Sequence, residues 1–264
     1  MVLTCATVFS KMYFYFLIVA LVHCTVPSSS SMSSGEWKKK CEDEWALQGA
    51  PMPDSVDWKS VYEAKPFNRN FLKNPSPYGV TKDSPPPEPD LPEVPDRGPP
   101  HFVPEGDFSG WTTSSVVLPE DTSGIPEGVV ICQLPIPRQV LWFTMEQEVD
   151  LKAEGLWEEL LDEFQPKIVI KDWYEESQLH KFIYQLHVKL LGADKTTVIA
   201  EFDVNPTEDL SVYSHNWKEV SHVFSGYGPG VRYVHFVHRL KNHFLNGFWN
   251  TMFTGSSVTV STKK

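Results

Sequence analysis

The chain has 264 residues, a formal charge of −11, 41% hydrophobic residues, 22 prolines and only four cysteines. Its length fits one large domain or two small ones, and its cysteine count excludes a disulfide scaffold. The acidic balance, with Lys and Arg scattered, excludes the electrostatic footprint of a nucleic-acid binder, and 16 Phe, 9 Trp and 9 Tyr exclude a wholly disordered chain.

The amino-terminal 31 residues carry an apolar run of 11, Met12–Val22 (MYFYFLIVALV), preceded by Lys11 and followed by a serine tract. A helix crossing a bilayer needs about 20 apolar residues. The run is short for a span and has the length of a signal-peptide core. Two other readings stand beside that one: a membrane anchor, and a start at Met32 that makes residues 1–31 an upstream extension. Against secretion, the sequons at Asn74-Pro75-Ser76 and Asn205-Pro206-Thr207 are blocked by proline, and only Cys41 and Cys132 remain beyond Cys24.

Eleven of the prolines fall between Pro75 and Pro104. Proline fixes φ and removes a backbone donor, so this stretch reads as an extended, polyproline-II-like loop. Its segment 85–100 (PPPEPDLPEVPDRGPP) has the composition that SH3 or WW modules bind.

From Val116 onward, short β-rich runs alternate with turn signals. VVICQLPI (129–136), VLWFTM (140–145), KIVIKDWY (167–174), FIYQLHVKLL (182–191), TTVIAEFDV (196–204), EVSHVF (219–224), VRYVHFVHRL (231–240) and SSVTVS (256–261) are predicted strands. LWEELLDEF (156–164) has Leu156, Leu160, Leu161 and Phe164 at helical spacing, with Gly155 before and Pro166 after, and is predicted as a short helix. The expected fold is mainly β: an antiparallel sandwich with one or two short helices and a proline-rich loop. Trp142, Phe182, Tyr184, Phe202 and Phe236 are expected in its core.

No catalytic group, metal site or cofactor site is nominated. Glu158, Glu159, Asp162 and Glu163 fall on the polar side of the short helix and read as a solvated face. His235 and His238, three residues apart on a strand, point to opposite faces and cannot grip one ion. His222, His243 and Cys132 add no recognised ligand spacing. GYGPG (226–230) is a turn whose Pro229 lacks the backbone donor that a phosphate cradle uses.

The runs GLWEELLDEFQPKIVIKDWYEES (155–177), IAEF (199–202), WKEVSHVFSGYGPGVRYVHFVH (217–238) and TGSSVTV (254–260) resemble the F-box-associated domain, and PFNRNFLKNP (66–75) resembles its opening. The resemblance implies a jelly-roll or galactose-binding-like sandwich over 66–262, with 75–104 inserted near its beginning. Residues 32–65 then resemble the tail and linker that follow an F-box, without the helical block that docks a Skp-type adaptor. By resemblance, the chain is a non-enzymatic recognition module beside an SCF ubiquitin ligase, cytoplasmic, serving turnover of protein substrates that include glycoproteins. An alternative rests on the name of one divergent family member: a plasma-membrane receptor of cytotoxic leukocytes, with Met12–Val22 as anchor. Glycan-binding members place Tyr-Trp-Lys before Gly-Trp in their last loop, where Phe244, Leu245 and Asn246 stand here; a phenylalanine of their pocket aligns with Val140. Leucine offers no aromatic face to a sugar, so high-mannose binding is expected to be weakened or lost.

Overall fold

The computed structural model describes residues 32–79, 81, 83, 106–118, 140–175, 184–206, 217–241 and 253–263. The apolar run 12–22, the predicted strand 129–136, Phe182, His243 and most of the proline-rich insertion lie outside the described residues. Ser33–Lys264 forms one compact unit.

Two helices open it. Helix α1 (Ser34–Trp45) starts in a capping box: the Ser33 side chain accepts from the Glu36 N–H, and the Glu36 carboxylate accepts from the Ser33 N–H at 2.7 Å. Its Cys41 and Trp45 are buried on one side. Helix α2 (Trp58–Ala64) is capped by Asp57, which accepts from the Lys59 and Ser60 N–H groups. Both helices share the core of the β-structure that follows. Trp58 meets Trp157 edge-on at 4.9 Å, the Trp157 indole donates to Pro51 O at 2.7 Å, and Thr262 Oγ1 donates to Trp45 O at 2.5 Å. Gly155 makes the close approach possible: its φ is +100°, and a Cβ there would meet Ala64 Cβ at 2.8 Å.

Among the described residues eight strands follow: β1 (Thr112–Leu118), β2 (Val140–Asp150), β3 (Lys167–Glu175), β4 (Tyr184–Leu191), β5 (Val198–Val204), β6 (Trp217–Phe224), β7 (Tyr233–Lys241) and β8 (Phe253–Ser261). They make two wholly antiparallel sheets, one ordered β1-β2-β7-β4-β5 and the other β6-β3-β8. Period-two alternation turns Ile168 and Ile170 of β3, Leu186, Val188 and Leu190 of β4, Val234 and Phe236 of β7, and Val258 and Val260 of β8 into the interior, all fully buried. This is the expected antiparallel sandwich. Tyr184 and Phe236 are core residues as predicted, whereas Phe202 is half-buried and stacks on His222 with ring centroids 4.2 Å apart.

The segment 66–75 closes the outer edge of β8. Asn68 N and Phe71 N donate to Val260 O and Val258 O, each at 2.9 Å, and the Asn70 amide bonds both Val258 N and Ser256 O. Gln147 of β2 pairs its amide with the Lys73 backbone at 2.9 and 2.8 Å, tying this segment to the larger sheet. The residues flanking the insertion are held together. Asn74 Nδ2 donates to Asp107 O at 2.6 Å, Asp107 N donates to Pro77 O at 2.8 Å, and the Trp111 indole donates to Asn74 O at 2.9 Å.

The predicted helix 156–164 is shorter and wound differently: Leu160–Phe164 forms one π-helical turn, closed by Gln165 N on Leu160 O at 2.9 Å. The wide turn buries Leu160 and Leu161 together, with Pro166 preventing any continuation.

Candidate functional site

The strand topology separates two ends. At one end lie the closed turns: the π turn between β2 and β3, the Gly192–Lys195 turn between β4 and β5, and the 225–232 turn between β6 and β7. The other end is where β1, β3, β5 and β7 finish and β2, β4, β6 and β8 begin. Four connections (119–139, 176–183, 207–216 and 242–252) leave from it. Val140 is the first residue of β2, and Trp142 two positions later pairs with Lys241, the last residue of β7. The backbone of Val140 is thus placed beside the start of the 242–252 connection. Phe244, Leu245 and Asn246, within that connection, lie outside the described residues.

Just beneath this end, four polar side chains meet in the interior. β3 supplies Asp172, β8 supplies Ser256, β4 supplies Tyr184 and β7 supplies His238, all fully buried. The Tyr184 hydroxyl donates to Asp172 Oδ2, Ser256 Oγ donates to Asp172 Oδ1 at 2.8 Å, and His238 Nε2 lies 3.1 Å from Ser256 Oγ. His238 stacks on Phe253 at 3.7 Å, with Trp111 tilted against it. A bulge in β8 sets the geometry. Its register against β3 shifts between Lys171 and Trp173, and Gly255 takes φ +67° beneath Trp173. Ser256 faces Asp172 because it continues the inward series Val260, Val258, while the extra residue changes the phase before it and lets Phe253 face inward as well.

Burial pushes the Asp172 carboxyl up to about 8, against the opposing pull of its bonds from Tyr184, Ser256 and the Trp173 N–H. Burial likewise holds His238 well below the usual imidazole range and raises the Tyr184 phenol. Ser, His and Asp together invite comparison with a hydrolytic triad, but the connections differ. Asp172 bonds the serine and the tyrosine and does not hold the far ring nitrogen of the histidine. That nitrogen, Nδ1, has no partner, and the serine hydroxyl is sealed from solvent. The cluster joins four strands within the interior.

At the opposite end, the carboxylates read as a solvated face have partners. Asp162 takes both guanidinium nitrogens of Arg232 at 2.8 and 2.9 Å and the Gly230 N–H at 2.8 Å; Arg232 holds its carboxyl below the usual range. Glu158 pairs with Lys152 at 2.5 Å. These residues fasten the 226–230 turn to the π turn, a tertiary pairing that helical periodicity does not report.

The histidines divide as the strand period requires. His238 is inside, while His235 is outside and bonded to Glu146 at 2.9 Å. Among the described residues no group of three His, Cys, Asp or Glu side chains is placed to hold a metal ion, and no helix is long and apolar enough to cross a membrane. The interior cluster went unforeseen, although its signal is present. Asp172 continues the inward series Ile168, Ile170, and His238 continues Val234, Phe236.

The described strands thus form an antiparallel two-sheet sandwich. Residues 62–260 match the family described as the F-box associated region, and the chain belongs to that family. It is 65% identical over 234 residues to F-box only protein 50 of Danio rerio, covering 87% of this chain and 97% of that protein. It is 38% identical over 225 residues to F-box only protein 50 of Homo sapiens (84% and 73% covered) and 32% identical over 238 residues to human F-box only protein 6 (86% and 71%).

Proposed function

We propose that the chain is a non-enzymatic recognition module that selects protein substrates for an SCF-type ubiquitin ligase, acting in the cytoplasm. The observation that carries this reading is membership of the F-box-associated family over residues 62–260. In this reading the domain runs over 66–262, the selecting surface is the end from which the four connections leave, and 75–104 is an insertion in its opening loop. Residues 32–65 act as a structural cap: Cys41, Trp45, Trp58 and Val61 are spent on the core, and α1 turns Glu36, Lys39, Asp43 and Glu44 to solvent. Such a face lacks the apolar stripe on which a helical adaptor docks, so any Skp-type contact is made by other parts of the chain. Segment 85–100 serves as the ligand of an SH3 or WW module.

Glycoprotein substrates are then chosen with little help from glycan stacking, because Leu245 stands where the glycan-binding members have tryptophan. Affinity capture from cells with the full chain should bring down a cullin-type ligase with its adaptor; a clean capture lacking both sinks the ligase reading. On an array of high-mannose N-glycans the wild-type chain should be blank. The double substitution Leu245→Trp and Asn246→Lys should gain signal, since a stacked aromatic anchor is worth about 1–3 kcal/mol.

A further inference from the structure

At one place among the described residues two side-chain hydrogen bonds cross the interior from sheet to sheet. Tyr184 of the five-stranded sheet bonds Asp172 of the three-stranded sheet, and His238 of the first bonds Ser256 of the second. The Ser256–Asp172 bond joins the two crossings into one chain of four groups. Asp172, Tyr184, His238 and Ser256 all sit near the ends of their strands, on the side from which 176–183 and 242–252 leave. From every element packed around it, the described titratable groups facing the chain are few. β4 brings Tyr184, β7 brings His238, and β3 brings Asp172 together with Tyr174, whose ring stacks on Tyr184 at 4.7 Å. β8 adds only the Ser256 hydroxyl and the ring of Phe253, and the residues before β1 add the ring of Trp111. The basic side chain beside the Asp172 carboxyl is His238 itself, whose Nε2 lies 3.6 Å from Oδ2.

We propose that the Asp172–Tyr184–Ser256–His238 chain is a proton-dependent latch between the two sheets, closed only while all four groups are uncharged, and that it loosens this end of the sandwich on both the acid and the alkaline side of neutrality. Asp172 and His238 share one serine hydroxyl. A protonated Asp172 hands its hydrogen to Ser256 Oγ, which turns its own hydrogen to His238 Nε2, and both crossings stay satisfied. If His238 takes a proton, a hydrogen on Nε2 replaces the lone pair that accepted from Ser256. The Ser256 hydrogen is then left without an acceptor beside a protonated Asp172, and the charged ring has no partner at Nδ1. If Asp172 loses its proton, an anion is left with only neutral donors around it. Either charge is paid for in desolvation that the surrounding rings and aliphatic side chains cannot offset.

The direction of each effect follows from burial. Asp172 has a folded-state value of about 8, raised above the ordinary carboxylate near 3.9, so its contribution is complete below about pH 4 and is lost as pH rises through about 8. His238 is depressed below the ordinary imidazole near 6.5, so its contribution is complete above that pH and is lost as pH falls below it. The exposed pairs His187–Asp203 and His235–Glu146 are common to the wild type and the variants, so their contribution cancels in a difference.

The test is the unfolding midpoint of the full chain from pH 5 to pH 9 for the wild type, Asp172→Asn and His238→Gln. Relative to Asp172→Asn, the wild type should lose several degrees between pH 5 and pH 9. Relative to His238→Gln, it should lose stability as pH falls below about 6.5. Differences that stay flat across the range overturn the latch. Carbon-13 NMR of the wild-type Asp172 carboxyl decides the matter even if a variant does not fold. A midpoint near 8 upholds the proposal, and titration together with the exposed carboxylates near 4 removes it.

Discussion

Strand β7 carries one histidine on each face, and the two do different work. His235 on the outer face bonds Glu146 across β2, with His187–Asp203 and Lys195–Glu148 nearby on the same sheet, and all of these remain in contact with water. His238 on the inner face is fully buried, joined through Ser256 to Asp172, and its ionisation is displaced far from the ordinary value. The residue types are the same and the strand is the same. What separates them is the medium: water screens a surface pair to a small net effect, whereas the interior makes every hydrogen bond in the chain necessary and every unbalanced charge costly.

Substitutions sharpen that contrast in order of size. Asp172→Ala strips Tyr184 and Ser256 of their acceptor and leaves a hole between the sheets; a loss of about 3–5 kcal/mol in denaturant unfolding is expected. A loss below about 1 kcal/mol would erase the distinction between the faces.

Asp162 is the intermediate case, part-exposed but held by Arg232 and the Gly230 N–H. Asp162→Ala should cost about 1.5–3 kcal/mol and increase amide exchange in the 226–230 turn. Because its carboxyl is held below the ordinary range, this contribution is present above about pH 4 and fades as pH falls through the lower folded-state value. The wild type and Asp162→Ala should therefore converge in acid.

The smallest effect belongs to the outer face. Glu146→Gln should change stability by at most about 1 kcal/mol, and added salt should shrink it further. A larger, salt-insensitive loss would show that the outer pairs act as a network.

Much of the architecture can be read from the residues. Period-two runs locate the strands from 140 to 261, the turn residues bound them, and the motifs around 155–177 and 217–238 place the chain in its family. The beginning of the folded unit was less legible. The Ser33–Glu36 capping box and the spacing of Trp37, Cys41 and Trp45 mark α1, yet those tryptophans acquire meaning only against Tyr62 and Phe67, which the intervening turn brings round. Strand β1 begins at Thr112 within a Thr-Thr-Ser-Ser run that has little β-branched apolar character. Of the family-aligned site positions, Val140 is placed by the start of β2, while Phe244, Leu245 and Asn246 rest on the alignment alone.

The sequence by itself determined the mainly antiparallel sandwich and the opposite facing of His235 and His238, because alternation and turn chemistry are local. Only the tertiary structure decided that Asp172, Tyr184, Ser256 and His238 meet. Their encounter depends on how the two sheets stack, because each of the four side chains only continues the inward series of its own strand. It also decided that Asp162 and Arg232, 70 residues apart, close the other end. Burial then set the chemistry of Asp172 and the Arg232 guanidinium that of Asp162, and both are properties of the packed chain.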